Sequence, residues 1–206
     1  SSYSNSAHNV QGTYEWTVPD NIGNNVKVRV SDANDPDVIA VSTNPFVIKG
    51  SVTVVEPNGG ETWYVDDTTR KIRWNASGTI PTVKIDYSKN NGGAWTEILS
   101  DAPAGKGSGE YTWPLVANAI SDLCLIRVSD TRDSTGVKDV SNAVFFIKGK
   151  IQVTKPDGTE RWLVQSSGHD ITWTMNGSIQ NVKITYAVDG GAYDNVIVNS
   201  TPGANR

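Results

Sequence analysis

The chain has 206 residues, 18 Lys and Arg against 22 Asp and Glu, and a formal net charge of −4 with the two signs mixed along it. No Lys/Arg run offers a footprint for a phosphate backbone, which argues against nucleic acid as a partner, and no apolar run approaches the ~18 residues of a membrane span. A single cysteine, Cys124, excludes an internal disulfide, so packing must hold whatever fold forms.

In chain order, the first block with a clear pattern is Gly12-Thr13-Tyr14-Glu15-Trp16. Val26, Val28 and Val30 follow, alternating with Lys27 and Arg29, the period of two that marks a strand with one buried face. Phe46-Val47-Ile48-Lys49-Gly50 closes this stretch and runs directly into Ser51-Val52-Thr53-Val54. Next come Pro57-Asn58-Gly59-Gly60-Glu61-Thr62-Trp63, Ile72-Arg73-Trp74 and Val83-Lys84-Ile85-Asp86-Tyr87, where Val83, Ile85 and Tyr87 are expected on one face and Lys84 and Asp86 on the other. Turn chemistry at Asn58-Gly59-Gly60, Asn90-Asn91-Gly92-Gly93 and Asp189-Gly190-Gly191 separates the strands, and no helical periodicity appears.

These blocks repeat. Pro156-Asp157-Gly158-Thr159-Glu160-Arg161-Trp162, Ile171-Thr172-Trp173 and Val182-Lys183-Ile184-Thr185-Tyr186 return about 99 residues after their first copies. Ile126-Arg127-Val128-Ser129-Asp130 repeats Val28-Arg29-Val30-Ser31-Asp32, and Phe145-Phe146-Ile147-Lys148-Gly149 repeats Phe46-Val47-Ile48-Lys49-Gly50. The phase gives one complete unit over 50–149. Residues 1–49 match its C-terminal half, and 150–206 match its N-terminal half. The expected fold class is all-β: tandem immunoglobulin-like β-sandwiches of about seven antiparallel strands, with turn signals every 8–12 residues.

All seven tryptophans fall in repeated blocks, with Trp95 matched by Tyr193, and this assigns them to core packing. Cys124 aligns with Val26 and reads as a small core hydrophobe. The only histidines, His8 and His169, do not recur; His169 reads as a turn residue. No catalytic, cofactor-binding or metal site is assigned, and the chain is not expected to be an enzyme or to carry a cofactor. One metal option stays open: Asp32, Asp35 and Asp37 cluster after one strand, and Asp130, Asp133 and Asp139 after its repeat. Oxygen-rich end loops of this kind hold Ca²⁺ in some extracellular modules, yet Asp also favours such turns for its own backbone bonds. Three N-glycosylation sequons, at Asn75, Asn176 and Asn199, are close to the chance number.

The combined motifs, Pro-x-Gly-Gly-Glu-x-Trp, Ile-x-Trp, Val-x-Ile-x-Tyr-Ser, Gly-x-Tyr-x-Trp and Ile-Arg-Val-Ser-Asp, resemble the Ser/Thr-rich, GPI-anchored surface domain family related to fungal cell-wall glucan-assembly proteins, over nearly all of 11–200. The resemblance implies secretion and display at the cell surface, with no catalytic residue to carry over. The long Ser/Thr-rich stalk of the fungal members is missing here. The expected function is a structural module of an extracellular rod or fibre, joined through single glycines without flexible linkers. Its partners would be neighbouring Ig-like domains or other copies of the same protein, and the half-domains would be completed either by the same polypeptide continued beyond these residues, which costs less ordering entropy, or by another copy in trans. The alternative is an adhesin or carbohydrate-binding module that meets cell-surface glycans through its end loops.

Overall fold

The computed structural model describes residues 12–114 and 116–203, and all its regular structure is β. The chain divides at Gly50 into two compact units.

The first unit holds four short strands: β1 (Gly23–Val26), β2 (Arg29–Ser31), β3 (Ile39–Val41) and β4 (Phe46–Ile48). β1 pairs antiparallel with β4 and β2 with β3, giving two separate two-stranded ribbons. Two ribbons cannot bury their own apolar faces. Of the alternating residues, Val28, Val30 and Val41 stand exposed, and only Ile48 reaches full burial.

In the second unit, residues 51–148 carry β5 (Ser51–Glu56), β6 (Thr62–Tyr64), β7 (Lys71–Ser77), β8 (Thr82–Ser88), β9 (Thr96–Pro103), β10 (Gly107–Thr112), β11 (Ser121–Asp130), β12 (Lys138–Val140) and β13 (Phe145–Lys148). About seven strands are expected from the sequence and nine are observed. The excess arises because two strand paths break: β5 and β6 are separated by the Pro57–Gly60 turn, and β12 and β13 by Ser141–Val144. A three-stranded sheet runs β10-β7-β5. A six-stranded one runs β6-β13-β11-β8-β9, with β12 also on β11. All these pairings are antiparallel except β13 with β6. The chain enters at the end of the sheets where Ser51 faces Ser77, and leaves at the opposite end, where Lys148 faces Tyr64.

Period-two burial along β5 and β7 places Val52, Val54, Ile72, Trp74 and Ala76 inside, and Val83, Ile85, Ile126, Val128, Phe145 and Ile147 of the larger sheet are equally buried. Trp63 sits at the centre, with ring centroids 5.1 Å from Phe145 and 6.2 Å from Trp113. Trp74 is fully buried and its indole Nε1–H donates to the Ala104 carbonyl at 3.0 Å, which satisfies the one polar atom the ring carries. Gly109 lies opposite Trp74 in the register. A Cβ there would come within 2.4 Å of the indole, so only glycine lets β10 cross this ring. Asp86 departs from expectation. It occupies the polar face of β8 but is buried, because Arg127 covers it at 2.9 Å, Lys84 reaches it at 3.1 Å and Trp95 lies 4.3 Å beneath the Arg127 guanidinium.

Residues 150–203 hold β14 (Lys150–Lys155), β15 (Thr172–Asn176), β16 (Asn181–Tyr186) and β17 (Asn195–Pro202), paired as β14-β15 and β16-β17. Local geometry follows the first copies closely. Val153 faces Trp173 as Val54 faces Trp74, Trp173 Nε1–H donates to the Gly203 carbonyl at 2.8 Å, and the Lys155–Pro156 bond is cis like Glu56–Pro57. Glu160 accepts from the Asp157 and Gly158 amides as Glu61 does from Asn58 and Gly59.

The expectation that every tryptophan packs in a core needs correction. Trp63, Trp74 and Trp113 are buried, Trp95 and Trp173 are half-buried, and Trp16 and Trp162 are 45% and 42% exposed. Among the described residues, no strand corresponding to those that cover Trp63 and Trp113 pairs beside Trp162 or Trp16.

Replacing Trp74 with Ala is expected to destabilise residues 51–148 by about 3–5 kcal/mol in urea unfolding, and Gly109→Ala by about 1–3 kcal/mol through overpacking. A loss below 1 kcal/mol for Trp74→Ala would contradict the packing described.

Candidate functional site: the junction and the open sheet faces

The acidic loops come first, because they are the one metal option. Asp32 Oδ1 accepts from the Asn34 amide at 2.8 Å, and Asp35 Oδ1 from the Asp37 amide at 3.1 Å, both turn-closing bonds. In the repeat, buried Asp130 is held by Arg132 at 3.0 Å, and Asp133 Oδ1 accepts from the Gly136 amide at 2.9 Å. Asp139 faces β5 instead and accepts from the Val54 amide at 2.8 Å. Among the described residues no group of three His, Cys, Asp or Glu side chains is placed to hold a metal ion.

His8 lies outside the described residues. His169 sits in an exposed loop, stacked on Trp162 with centroids 4.8 Å apart, and its Nε2 is 2.7 Å from Ser166 Oγ. That hydroxyl donates to the Leu163 carbonyl at 2.6 Å. The hydroxyl thus lies between the Leu163 carbonyl and the imidazole, and the three groups close an exposed turn. Cys124 is fully buried, and burial pushes its thiol above the ordinary range, against reactivity. Of the matched pair Trp95 and Tyr193, Trp95 is covered by Arg127. Tyr193 is 74% exposed, but makes no ring–ring contact among the described residues.

Two built features remain. The first is the junction at Gly149, inside the second unit. Asp67 accepts from Arg70 at 3.0 Å and from Lys150, the first residue of β14. Asp66 accepts from the Asn176 side-chain amide at 2.9 Å. Asn118 and Ser178 exchange two bonds, at 2.8 and 3.0 Å. A Cβ on Gly149 would meet the Ile179 side chain at 2.7 Å and the Asn176 carbonyl at 2.9 Å, so the chain turns here with no room for another residue type. Partial burial raises the Asp67 carboxyl, but bonds from Lys150, Arg70 and the Tyr64 amide outweigh it and hold the group below the usual carboxylate range. Nothing in the repeat pattern singles out these residues. The available signal was negative: Asp66-Asp67 has no acidic counterpart at Gln165-Ser166.

The second feature is the pair of open sheet faces. Val52, Val54, Trp63, Val65, Ile126 and Val128 are all buried, whereas their equivalents Ile151, Val153, Trp162, Val164, Val28 and Val30 are 42–94% exposed. In the first unit this leaves a groove of about 840 Å³, walled by Tyr14, Trp16, Val28, Val30 and Ile48. Each copy of the motif thus has an apolar face, and only one is covered.

No protein-family model matches the chain, and no curated protein matches it in sequence.

The junction yields a pH test. With the carboxyl held low, the Asp67 contacts are fully formed above the ordinary Asp value of about 3.9 and are lost as pH falls through the depressed value. Backbone NMR signals of Val65 and Lys150 should therefore hold steady from neutral pH to about pH 4 and shift only below it. Asp67→Asn should displace them at neutral pH. Movement of the wild-type signals between pH 5 and 7 would refute the assignment.

Proposed function

We propose that the protein is a structural module of an extracellular or cell-surface rod or fibre, built from tandem immunoglobulin-like β-sandwiches, with no catalytic role. The seven strand paths of residues 51–148, their division between two sheets and the parallel β6–β13 pair support the immunoglobulin-like reading. Local geometry repeated at Trp74 and Trp173 and at Glu61 and Glu160 supports the tandem reading. Direct strand-to-strand passage through Gly149, clamped by Asp67–Lys150, Asp66–Asn176 and Asn118–Ser178, supports a semi-rigid join that transmits load, as a flexible linker would not.

The observation that carries the proposal is the contrast between the buried residues of 51–148 and their exposed equivalents on both sides. A sheet face bearing Trp, Val and Ile in water costs about 25 cal/mol for each Å² of apolar surface left uncovered, so such faces call for a partner of the same kind. Neighbouring sandwich halves are that partner. The resemblance to secreted surface domains agrees with this reading.

Immunogold labelling of unpermeabilised producing cells, with antibody raised to the folded chain, is the direct test. Label on the cell surface and along extended material is expected; label confined to the cell interior would defeat the proposal.

A further inference from the structure

Within residues 51–148 the two halves of the motif meet along three seams, and each seam has both of its edges elsewhere in the same chain. β10 lies on β7 with Gly109 opposite Trp74 and Tyr111 opposite Ile72. β13 lies parallel to β6 with Ile147 opposite Trp63. β11 lies on β8 with Ile126 opposite Tyr87 and Val128 opposite Ile85. The later strand of every seam belongs to the half repeated in the first unit, and the earlier strand to the half repeated in 150–203.

We propose that the groove of the first unit receives the apolar face of residues 150–203 from a second copy of this chain, in the register of residues 51–148. This rests on the rod reading above and names its partner. Ile48 would then pair with Trp162, Val28 with Tyr186 and Val30 with Ile184, by direct transfer of the three observed seams. Trp162 would pack against Phe46 and Trp16, whose rings meet edge-on with centroids 6.3 Å apart, as Trp63 packs against Phe145 and Trp113.

Several details fit this occupant better than an unrelated apolar partner. Gly12 stands where Gly109 does, and a Cβ on it would meet nothing within 4 Å, so the space that Trp74 occupies beside Gly109 is empty beside Gly12. Trp173 already has its indole bond to the Gly203 carbonyl, and is thus set in the buried form's orientation. Ser42 accepts from the Val28 amide at 3.2 Å as Ser141 does from Ile126 at 3.0 Å. Ser141 Oγ then donates across the seam to the Pro57 carbonyl at 2.7 Å, for which the Pro156 carbonyl is the equivalent acceptor. Among the described residues β2, β4 and β16 are short and each pairs on one side alone, and a strand open on one side can take another strand onto its sheet.

The test is a cysteine pair placed across the transferred seam, Val30→Cys with Ile184→Cys, in a full-length chain that also carries Cys124→Ala. Under mild oxidation at tens of micromolar protein, non-reducing electrophoresis should give a ladder of dimers, trimers and longer species, while each single substitution gives dimers at most. Sedimentation of the wild-type chain should show mass rising with concentration, and Val30→Asp should abolish the rise while leaving the unfolding of residues 51–148 unchanged. Cross-linked monomer would overturn the proposal in favour of closure within one chain. Free thiols in the double variant, with wild-type mass constant at one chain, would overturn pairing between copies. Neither result touches surface labelling, so failure here is separable from failure of the rod reading.

Discussion

The constraint on which everything else depends is the division of each sheet between the two halves of the motif. β7 needs β10, β6 needs β13 and β8 needs β11, and in every case one partner comes from before residue 107 and the other from after it. Neither half owns a complete sheet. A half can form its hairpins, since those bonds are local, but it cannot cover Trp63 or its equivalents. Hydrogen bonding within a ribbon and burial of its face are thus separable in this chain. The first is met in all three segments, and the second in residues 51–148 alone.

This separation explains how nearly identical sequence blocks reach such different environments. Trp74 and Trp173 share a strand register, and each donates its indole proton to a carbonyl 30 positions on, yet one is fully buried and the other half-buried. Trp63 and Trp162 diverge further, because Trp63 is covered by β13, whereas among the described residues no strand pairs beside Trp162, which stacks on His169. The backbone was settled locally by the turn residues. The side-chain environment was settled by whichever strand lay across from it.

Much of the strand pattern was legible in the sequence, because alternation of apolar and polar residues and Gly-rich turns are local signals. The repeat spacing located corresponding residues without any structure. Less legible was the burial of Asp86, which alternation places on the solvent face. Its cover comes from Arg127 on the neighbouring strand and from Trp95 in the loop ahead of β9, and no local rule couples them. The breaks that turn seven strand paths into nine strands follow from Pro57 and from the Ser141–Ala143 bend, and only Pro57 is a recognisable breaker. The junction was half-legible: the absent linker was plain in Lys148-Gly149-Lys150, but its clasp through Asp66, Asp67, Asn118 and Ser178 joins residues up to 110 positions apart. Acidic residues after β2 and β11 read equally well as turn formers or calcium ligands. Their hydrogen bonds favour the former, and Asp139 turns away to β5.

The account stands or falls on whether the open faces are covered where the protein works. Hydroxyl-radical footprinting of native material, read residue by residue by mass spectrometry, addresses this directly. It should find Trp162 and Trp16 protected to nearly the level of Trp63, and each modified far faster once the material is diluted to single chains. Trp162 and Trp16 modified as fast in native material as in dissociated chain would show that no partner covers these faces, and the account would be wrong.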